Sequence, residues 1–249
     1  MGTAPADAMV MRVGSLFTGI GGIDLGLQRA GMEIAWQVEI DPYCRQVLAK
    51  HWPDVPRYGD IKTLRGDELE PVDLIAGGFP CQPVSLAGQR RGQDDYRWLW
   101  PEVARILRVV GPRYVLLENT PGLLSPGMGE VLGDLADIGF DAEWQVLSAK
   151  AFGAPHLRRR VFILAYSRGQ RIQGFWQRPI PRFAEFSWCQ DVRGVEDLRS
   201  RPDLPEPLLR GTRNGFPDYM ERVKAAGNAV VPAIFEWLGE GILAAHTAR

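Results

Sequence analysis

MRVGSLFTGIGG, residues 11–22, reads as a short apolar strand that runs straight into a glycine-rich turn. A strand over Met11–Phe17, followed by a helix over Ile23–Ala30 that Gly31 ends, is the opening unit of an open parallel sheet. The same alternation continues outward. Ile34–Ile40 reads as a strand, Tyr43–His51 as a helix and Arg57–Asp60 as a weak third strand. Val72–Ala76 is a strand ended by Gly77 and Gly78. Leu99–Val110 is helical, Tyr114–Glu118 a strand and Gly129–Ile138 a helix. Glu143–Ser148 and Arg160–Tyr166 are strands, the second returning from a turn after Ser148 and so antiparallel to the rest. Strand and helix alternating in this way predict an α/β domain whose mostly parallel sheet is covered on both faces.

After Tyr166 the texture changes. Ser167–Phe216 is rich in Arg, Pro and Trp, has little periodicity and reads as a small irregular lobe. Seven arginines (168, 171, 178, 182, 193, 199 and 201) are expected on its surface. Trp176, Trp188, Phe175, Phe183 and Phe186 are expected mostly in its core. A last helix, Ala233–Ala245, follows Pro232, which suits a helix start.

Composition narrows the class. The chain has 249 residues, 45% apolar and 24% charged, enough to bury a core without disulfides. No apolar run reaches the roughly 18 residues of a membrane span. Met1–Met11 has no charged region followed by an apolar stretch, so no secretory signal is expected. Three cysteines without a CxxC pair fit a reducing cytoplasm, and three scattered histidines argue against a structural metal. Residues 1–150 hold 14 Lys/Arg against 20 Asp/Glu, whereas residues 151–249 hold 15 against 10. A basic second half suits a polyanionic partner, and Arg, 25 of the 29 basic residues, suits phosphate and guanine.

Ligands of open parallel sheets bind beyond the carboxyl ends of the strands. Those ends carry Phe17-Thr18-Gly19-Ile20-Gly21-Gly22, Glu39 with Asp41, Asp60-Ile61, Gly78-Phe79-Pro80-Cys81-Gln82 and Glu118-Asn119. The turn is not a dinucleotide fingerprint, because Asp24 stands where a third glycine belongs. Glu39, twenty residues past Gly19, is placed to accept from both hydroxyls of a ribose, and Asp60 from the exocyclic amine of an adenine. A nucleoside without a pyrophosphate points to S-adenosyl-L-methionine.

Cys81, between Pro80 and Gln82 and opening a polar segment through Arg97, reads as a nucleophile, whereas Cys44, inside a helix, reads as core. Glu118 ends an apolar strand, where burial raises a carboxyl pKa and suits it to hold a proton toward a heterocycle nitrogen. Arg158 and Arg160 share a face at period two; one would bind a carbonyl oxygen, the other Glu118 or phosphate. Cys81, His156 and Asn119 also have the residue types of a cysteine hydrolase, which would leave the nucleoside pocket without a purpose.

In order and spacing, SLFTGIGGID (15–24), VEIDPY (38–43), GDI (59–61), GGFPCQPVS (77–85), LEN (117–119), GAPHLRRRVF (153–162) and GNAVVP (227–232) resemble the DNA (cytosine-5)-methyltransferase family. The compact length is most similar to phage or prophage members. The resemblance implies a Rossmann-like methyltransferase sheet, mostly parallel with one antiparallel strand. It divides the chain into a catalytic domain (1–166), a small target-recognition lobe (167–215) and a segment (216–249) that folds back beside the first strand. It further implies that Cys81 attacks C6 of a flipped-out cytosine, Glu118 holds N3 and the exocyclic amine, Arg160 binds O2 and Arg158 supports the loop or Glu118. Phe17, Gly19, Ile20, Gly21, Gly22, Glu39, Ile40, Asp60, Ile61, Pro80, Leu99 and Asn228 would surround S-adenosyl-L-methionine. Gln82, Ser85, Arg90, Arg91 and Arg97 would meet double-stranded DNA, with Gly88 and Gly92 as hinges.

The sequence departs from the family at His156, where glutamine is usual, and at Trp98, where a small residue is usual. Of the family's longer element before the last block, only Asn214–Asp218 is present. A monomer is expected, with no metal and no membrane; a cognate restriction endonuclease is compatible with the sequence but does not follow from it. The alternatives are the same chemistry on tRNA and a non-catalytic DNA-binding regulator.

Overall fold

The computed structural model describes residues 10–80, 98–125, 127–154, 156–169, 172, 174–181 and 230–247. Their elements run β1 (Arg12–Leu16), α1 (Gly22–Arg29), β2 (Glu33–Val38), α2 (Pro42–His51), β3 (Arg57–Tyr58), β4 (Leu74–Gly77), α3 (Trp100–Val110), β5 (Tyr114–Asn119), α4 (Met128–Ile138), β6 (Phe140–Ser148), β7 (Arg159–Ser167) and α5 (Pro232–Thr247). Among the described residues the strands form one seven-stranded sheet in the order β3-β2-β1-β4-β5-β7-β6. β1 through β5 pair in parallel, and β7 is antiparallel to both β5 and β6. The order reverses at β1, between β2 and β4, and this is where an open sheet leaves a crevice for ligands.

Period two assigns the two faces. Val115, Leu117, Val161 and Ile163 face a cluster with Trp100, Val103 and Leu107 of α3 and Val131 and Leu135 of α4. Tyr114, Leu116, Phe162 and Leu164 face the opposite cluster, with Ile23 and Leu27 of α1 and Phe235, Leu238 and Ile242 of α5. Burying each Leu, Ile or Phe in these layers contributes about 1.5–3 kcal/mol.

Two packing details hold the site's edge in place. Gly14 in β1 lies under the Trp36 indole, and a Cβ there would sit 2.0 Å from the ring. The β1–β2 register also shifts at Val13/Gly14, so the bulge and the missing side chain together admit Trp36 to the layer. On the other face α5 lies directly on α1. A Cβ on Gly26 would fall 2.4 Å from the Pro232 carbonyl oxygen, and one on Gly239 2.8 Å from Ala30 Cβ.

Element boundaries shift in physically interpretable ways. β2 ends at Val38, so Ile40 is not a strand residue and is 64% exposed. β4 begins at Leu74 rather than Val72, and a carboxylate oxygen of its neighbour Asp73 accepts from the Arg12 backbone N–H at 3.0 Å. β6 starts at Phe140, three residues earlier than its polar sequence indicates. Gly139, at φ 106°, closes α4 and passes directly into the strand. β6 is an edge strand, and edges tolerate charges such as Asp141.

At the start of the lobe Phe175 is buried, but in the layer of α1 and α5 against the sheet rather than in a core of the lobe. Arg178, expected on the surface, is instead half-buried, with its guanidinium 4.3 Å from the Trp237 ring and 4.9 Å from that of Phe175. Gly241 leaves the room it occupies. Arg182, Arg193, Arg199, Arg201, Phe183, Phe186 and Trp188 lie outside the described residues.

Candidate active site at the carboxyl edge of the sheet

The turn after β1 has left-handed backbone at Phe17 (φ 52°), Gly19 (φ 58°) and Gly21 (φ 86°). Two of the three are glycine for that reason. Phe17 is the one non-glycine residue among those described with positive φ, and such strain is held where a site demands it. The neighbours of this turn separate its glycines. Beside Gly21 the Trp52 ring fills the place of a side chain, and beside Gly22 Val230 does so, whereas the space beside Gly19 is open.

Glu39 lies across from that opening. Its Oε2 accepts from the Gly19 N–H at 2.7 Å and its Oε1 from the Asp41 N–H at 2.8 Å. Each oxygen keeps lone-pair capacity, so the carboxylate is oriented and still able to accept from a diol. Next to it stands the exposed apolar Ile40. The Glu39 N–H donates to the Tyr58 carbonyl at 3.0 Å, which ties this strand end to the one that leads to Asp60. Asp60 Oδ1 caps the Lys62 N–H at 3.0 Å and opens a short 3-10 turn, Ile61–Thr63, with Ile61 buried. Pro80, just past β4, and Leu99, just before α3, are half-buried. An open cradle at Gly19, a held carboxylate, an exposed aliphatic side chain and a second carboxylate fit the adenosine part of S-adenosyl-L-methionine.

Glu118, Arg160 and Phe162 share one face of the β5–β7 pair, since Glu118 stands opposite Phe162 and Arg160 is two residues along. Arg160 Nε is 2.9 Å from Glu118 Oε1. Burial pushes the Glu118 carboxyl pKa up, and the charges of Arg160 and then Arg158 pull against it, with burial the larger effect. Of the two arginines, Arg160 makes the direct pair, while Arg158 is half-buried near both. Arg158 sits where Ser148 Oγ and the Ala149 N–H close on the Leu157 carbonyl. The other oxygen of Glu118 abuts Gly78, where a Cβ would lie 3.1 Å from Oε2.

Asn119, pointing to the opposite face, is 3% exposed. Its Nδ2 donates to the Phe79 carbonyl at 3.0 Å and its Oδ1 accepts from the Thr120 N–H at 2.8 Å. Its amide is therefore engaged by the backbone just before Cys81. His156 is exposed in the loop before β7. These commitments remove Asn119 from the orienting role that the hydrolase alternative needs. Trp98 is buried, stacks edge-on to Phe79 at 5.8 Å and donates to Glu130 at 3.0 Å.

A buried polar cluster beneath the glycine turn escapes sequence reading. Asp24 accepts from Ser15 Oγ and from Gln37 Nε2, both at 2.6 Å, and Thr18 Oγ1 meets Ser15 Oγ at 3.1 Å. Burial raises the Asp24 pKa to about 6, against hydrogen bonds that lower it. The available signal was Asp24 occupying the position that denied the dinucleotide pattern.

Phe17, Gly19, Ile20, Gly21, Gly22, Glu39, Ile40, Asp60, Ile61, Pro80 and Leu99 stand along β1–β4, and Glu118, Arg158 and Arg160 along β5 and β7, all at the same edge. Cys81, Gln82, Ser85, Arg90, Arg91, Arg97 and Asn228 lie outside the described residues. Val230, two residues past Asn228, touches Gly22. Among the described residues no cluster of three or more His, Cys, Asp or Glu could hold a metal, and no helix is long and apolar enough to cross a membrane.

A family model described as C-5 cytosine-specific DNA methylase matches residues 11–207. The Type II methyltransferase M2.BsuMI of Bacillus subtilis (strain 168) is 37% identical over 294 residues, covering 93% of this chain and 75% of that protein. M.NgoMIV of Neisseria gonorrhoeae, also a Type II methyltransferase, is 38% identical over 152 residues, 59% of this chain and 49% of that one. A crystal structure described as a DNA modification methyltransferase encoded within an E. coli prophage superposes with a TM-score of 0.56 at 28% identity, over 64% of this chain and 47% of that one. The S. pombe Dnmt2 methyltransferase shares the fold, with a TM-score of 0.55 at 23% identity over 67% of this chain and 54% of that one. The chain thus spans about half the length of M.NgoMIV and of the prophage protein. The sheet is the Rossmann-like methyltransferase sheet expected, six strands parallel and β7 reversed.

Proposed function

We propose that this chain, which belongs to the C-5 cytosine-specific DNA methylase family, transfers a methyl group from S-adenosyl-L-methionine to C5 of cytosine in double-stranded DNA. The observation that carries the reading is the buried Glu118, held by Arg160 against the backbone at Gly78, on the same sheet edge as the oriented carboxylate of Glu39.

Cytosine C5 is a poor nucleophile and lies inside the duplex. The base must first leave the stack, at a cost of a few kcal/mol. The Cys81 thiolate then adds to C6, forming an S–C bond while the C5=C6 electron pair moves onto C5, delocalised through C4 toward N3. Glu118, whose burial lets it keep a proton at a higher pH than an ordinary carboxyl, donates to N3 and accepts from the exocyclic amine, which stabilises that charge. Arg160 keeps Glu118 in register and offers its remaining N–H groups to O2. S-adenosyl-L-methionine, when bound, would supply an electrophilic methyl on a sulfonium, whose CH3–S bond pair stays on sulfur to leave S-adenosyl-L-homocysteine as the methyl bonds to C5. After C5 has been alkylated its proton goes to a base, water being a candidate. The C–H electron pair restores C5=C6, and the Cys81 thiolate leaves.

The other assignments belong to the same proposal. Glu39 holds the ribose, Asp60 and Ile61 the adenine, Phe17 to Gly22 with Ile40, Pro80, Leu99 and Asn228 the rest of the donor. Gln82, Ser85, Arg90, Arg91 and Arg97 approach DNA. Residues 1–166 form the catalytic domain, 167–215 the target-recognition lobe, and 216–249 fold back on the first. The protein works as a cytoplasmic monomer, and its resemblance to Type II methyltransferases supports a role in restriction-modification.

The test is methyl transfer from labelled S-adenosyl-L-methionine to duplex DNA and, in parallel, to tRNA, followed by mapping of the modified cytosines. Label in DNA cytosine, lost in Cys81→Ala while cofactor binding stays within a few-fold, is expected. Label confined to tRNA favours the RNA reading, and turnover by Cys81→Ala removes the covalent route.

A further inference from the structure

Arg105 lies on α3, outside the strand ends that carry the motifs, yet its whole guanidinium is engaged. Nη1 donates to the Leu64 carbonyl at 2.5 Å and Nη2 to the Ile61 carbonyl at 2.8 Å. Nε donates to Glu102 Oε2, one turn back on the same helix, at 2.8 Å. The two carbonyls lie in and just past the 3-10 turn that begins at Asp60. The Ile61 carbonyl also accepts the Leu64 backbone N–H at 3.3 Å, so Arg105 adds a charged second donor to it and a donor to the Leu64 carbonyl just past the turn. The rest of the turn is closed locally. Asp60 Oδ1 holds the Lys62 N–H, and the Asp60 carbonyl accepts from Thr63 Oγ1 at 2.8 Å. Arg105 therefore ties this turn to α3, with Glu102 fixing the plane of its fork.

We propose that Arg105 is a positioning residue for the methyl donor, acting through the Asp60–Leu64 turn to set Asp60 and Ile61 against the adenine. The inference rests on the S-adenosyl-L-methionine reading above. The planar fork is what the task needs, since one flat group reaches two carbonyls and a carboxylate together. A lysine ammonium at the end of a flexible stem meets one carbonyl. Loss of the clamp frees the turn to drift. Tolerances in such sites are fractions of an ångström, so recognition of the adenine amine suffers first.

The experiment uses the full chain as wild type, Arg105→Ala, Arg105→Lys and, as control, Arg108→Ala, whose arginine lies 3.7 Å from Asp134 on α4. Binding of S-adenosyl-L-homocysteine is compared with binding of S-inosyl-L-homocysteine, which lacks the exocyclic amine. Wild type and Arg108→Ala are expected to prefer the adenosyl ligand. In Arg105→Ala, affinity for the adenosyl ligand falls about ten-fold, the inosyl ligand is little affected and the preference collapses, while kcat at saturating donor stays within about two-fold. Arg105→Lys falls between. Retention of the preference in Arg105→Ala overturns the inference, and so does an equal loss for both ligands accompanied by a lower melting temperature. A wild-type chain that binds neither ligand overturns the cofactor reading itself.

Discussion

Glu118 is useful because two opposing forces meet on one carboxyl. Burial favours the neutral acid, and Arg160 with Arg158 favours the anion, with burial the stronger. A group balanced in this way can give a proton to a ring nitrogen and stay oriented by an ion pair. Glu118→Gln keeps the shape and removes the proton chemistry. It is expected to lower kcat about 10²–10³-fold while leaving donor affinity within a few-fold, read by single-turnover methyl transfer and by equilibrium binding. A variant at near wild-type rate contradicts the role. Asp24 is a second buried carboxyl, with a different consequence. Its folded-state pKa, about 6, lies above the ordinary aspartate value of 3.8, so the native state holds a proton that the unfolded chain has already lost. Its stabilisation is full below the lower value and is lost as pH rises through the higher one. Relative to Asp24→Asn, wild type should lose about 2–2.5 kcal/mol between about pH 4 and pH 7. Urea unfolding of both proteins at each pH measures this, and a pH-independent difference contradicts it.

At the scale of elements, close approach depends on glycine. α1 and α5 touch through Gly26, whose missing Cβ leaves 2.4 Å to the Pro232 carbonyl oxygen. Gly26→Ala gains about 1 kcal/mol of helix propensity, loses more to overpacking, and is expected to destabilise the protein by about 1–3 kcal/mol. A methyl group on Gly133 of α4 would meet nothing within 4 Å, so Gly133→Ala should stabilise by about 0.5–1 kcal/mol. Chemical denaturation of the pair separates the two cases, and equal effects contradict the packing account. The strand and helix succession was legible because apolar runs and glycine stops are local signals. The ends of β2 and β6 were less so. Ile40 looks like core and is exposed, while Asp141 looks like loop and pairs on an edge. The strand-end residues of the site were readable by position. Arg105 and the Asp24 cluster were not, because the Ile61 and Leu64 carbonyls and Gln37 are 13 to 44 residues away and Ser15 is on a different element.

Across the whole molecule, the sheet divides the work. Its β1–β3 side carries the turn and carboxylates suited to a nucleoside, and its β5–β7 side carries the carboxyl and arginines suited to a pyrimidine. β4 lies between them and leads through Phe79 and Pro80 to Cys81. The most direct measurement is incubation with S-adenosyl-L-methionine and a DNA duplex in which 5-fluorocytosine replaces the target base. Fluorine does not leave as a proton does, so elimination is blocked. A denaturation-resistant protein–DNA complex whose cross-link maps to Cys81 is the result predicted. Ready methylation of ordinary cytosine with no such complex would contradict the account.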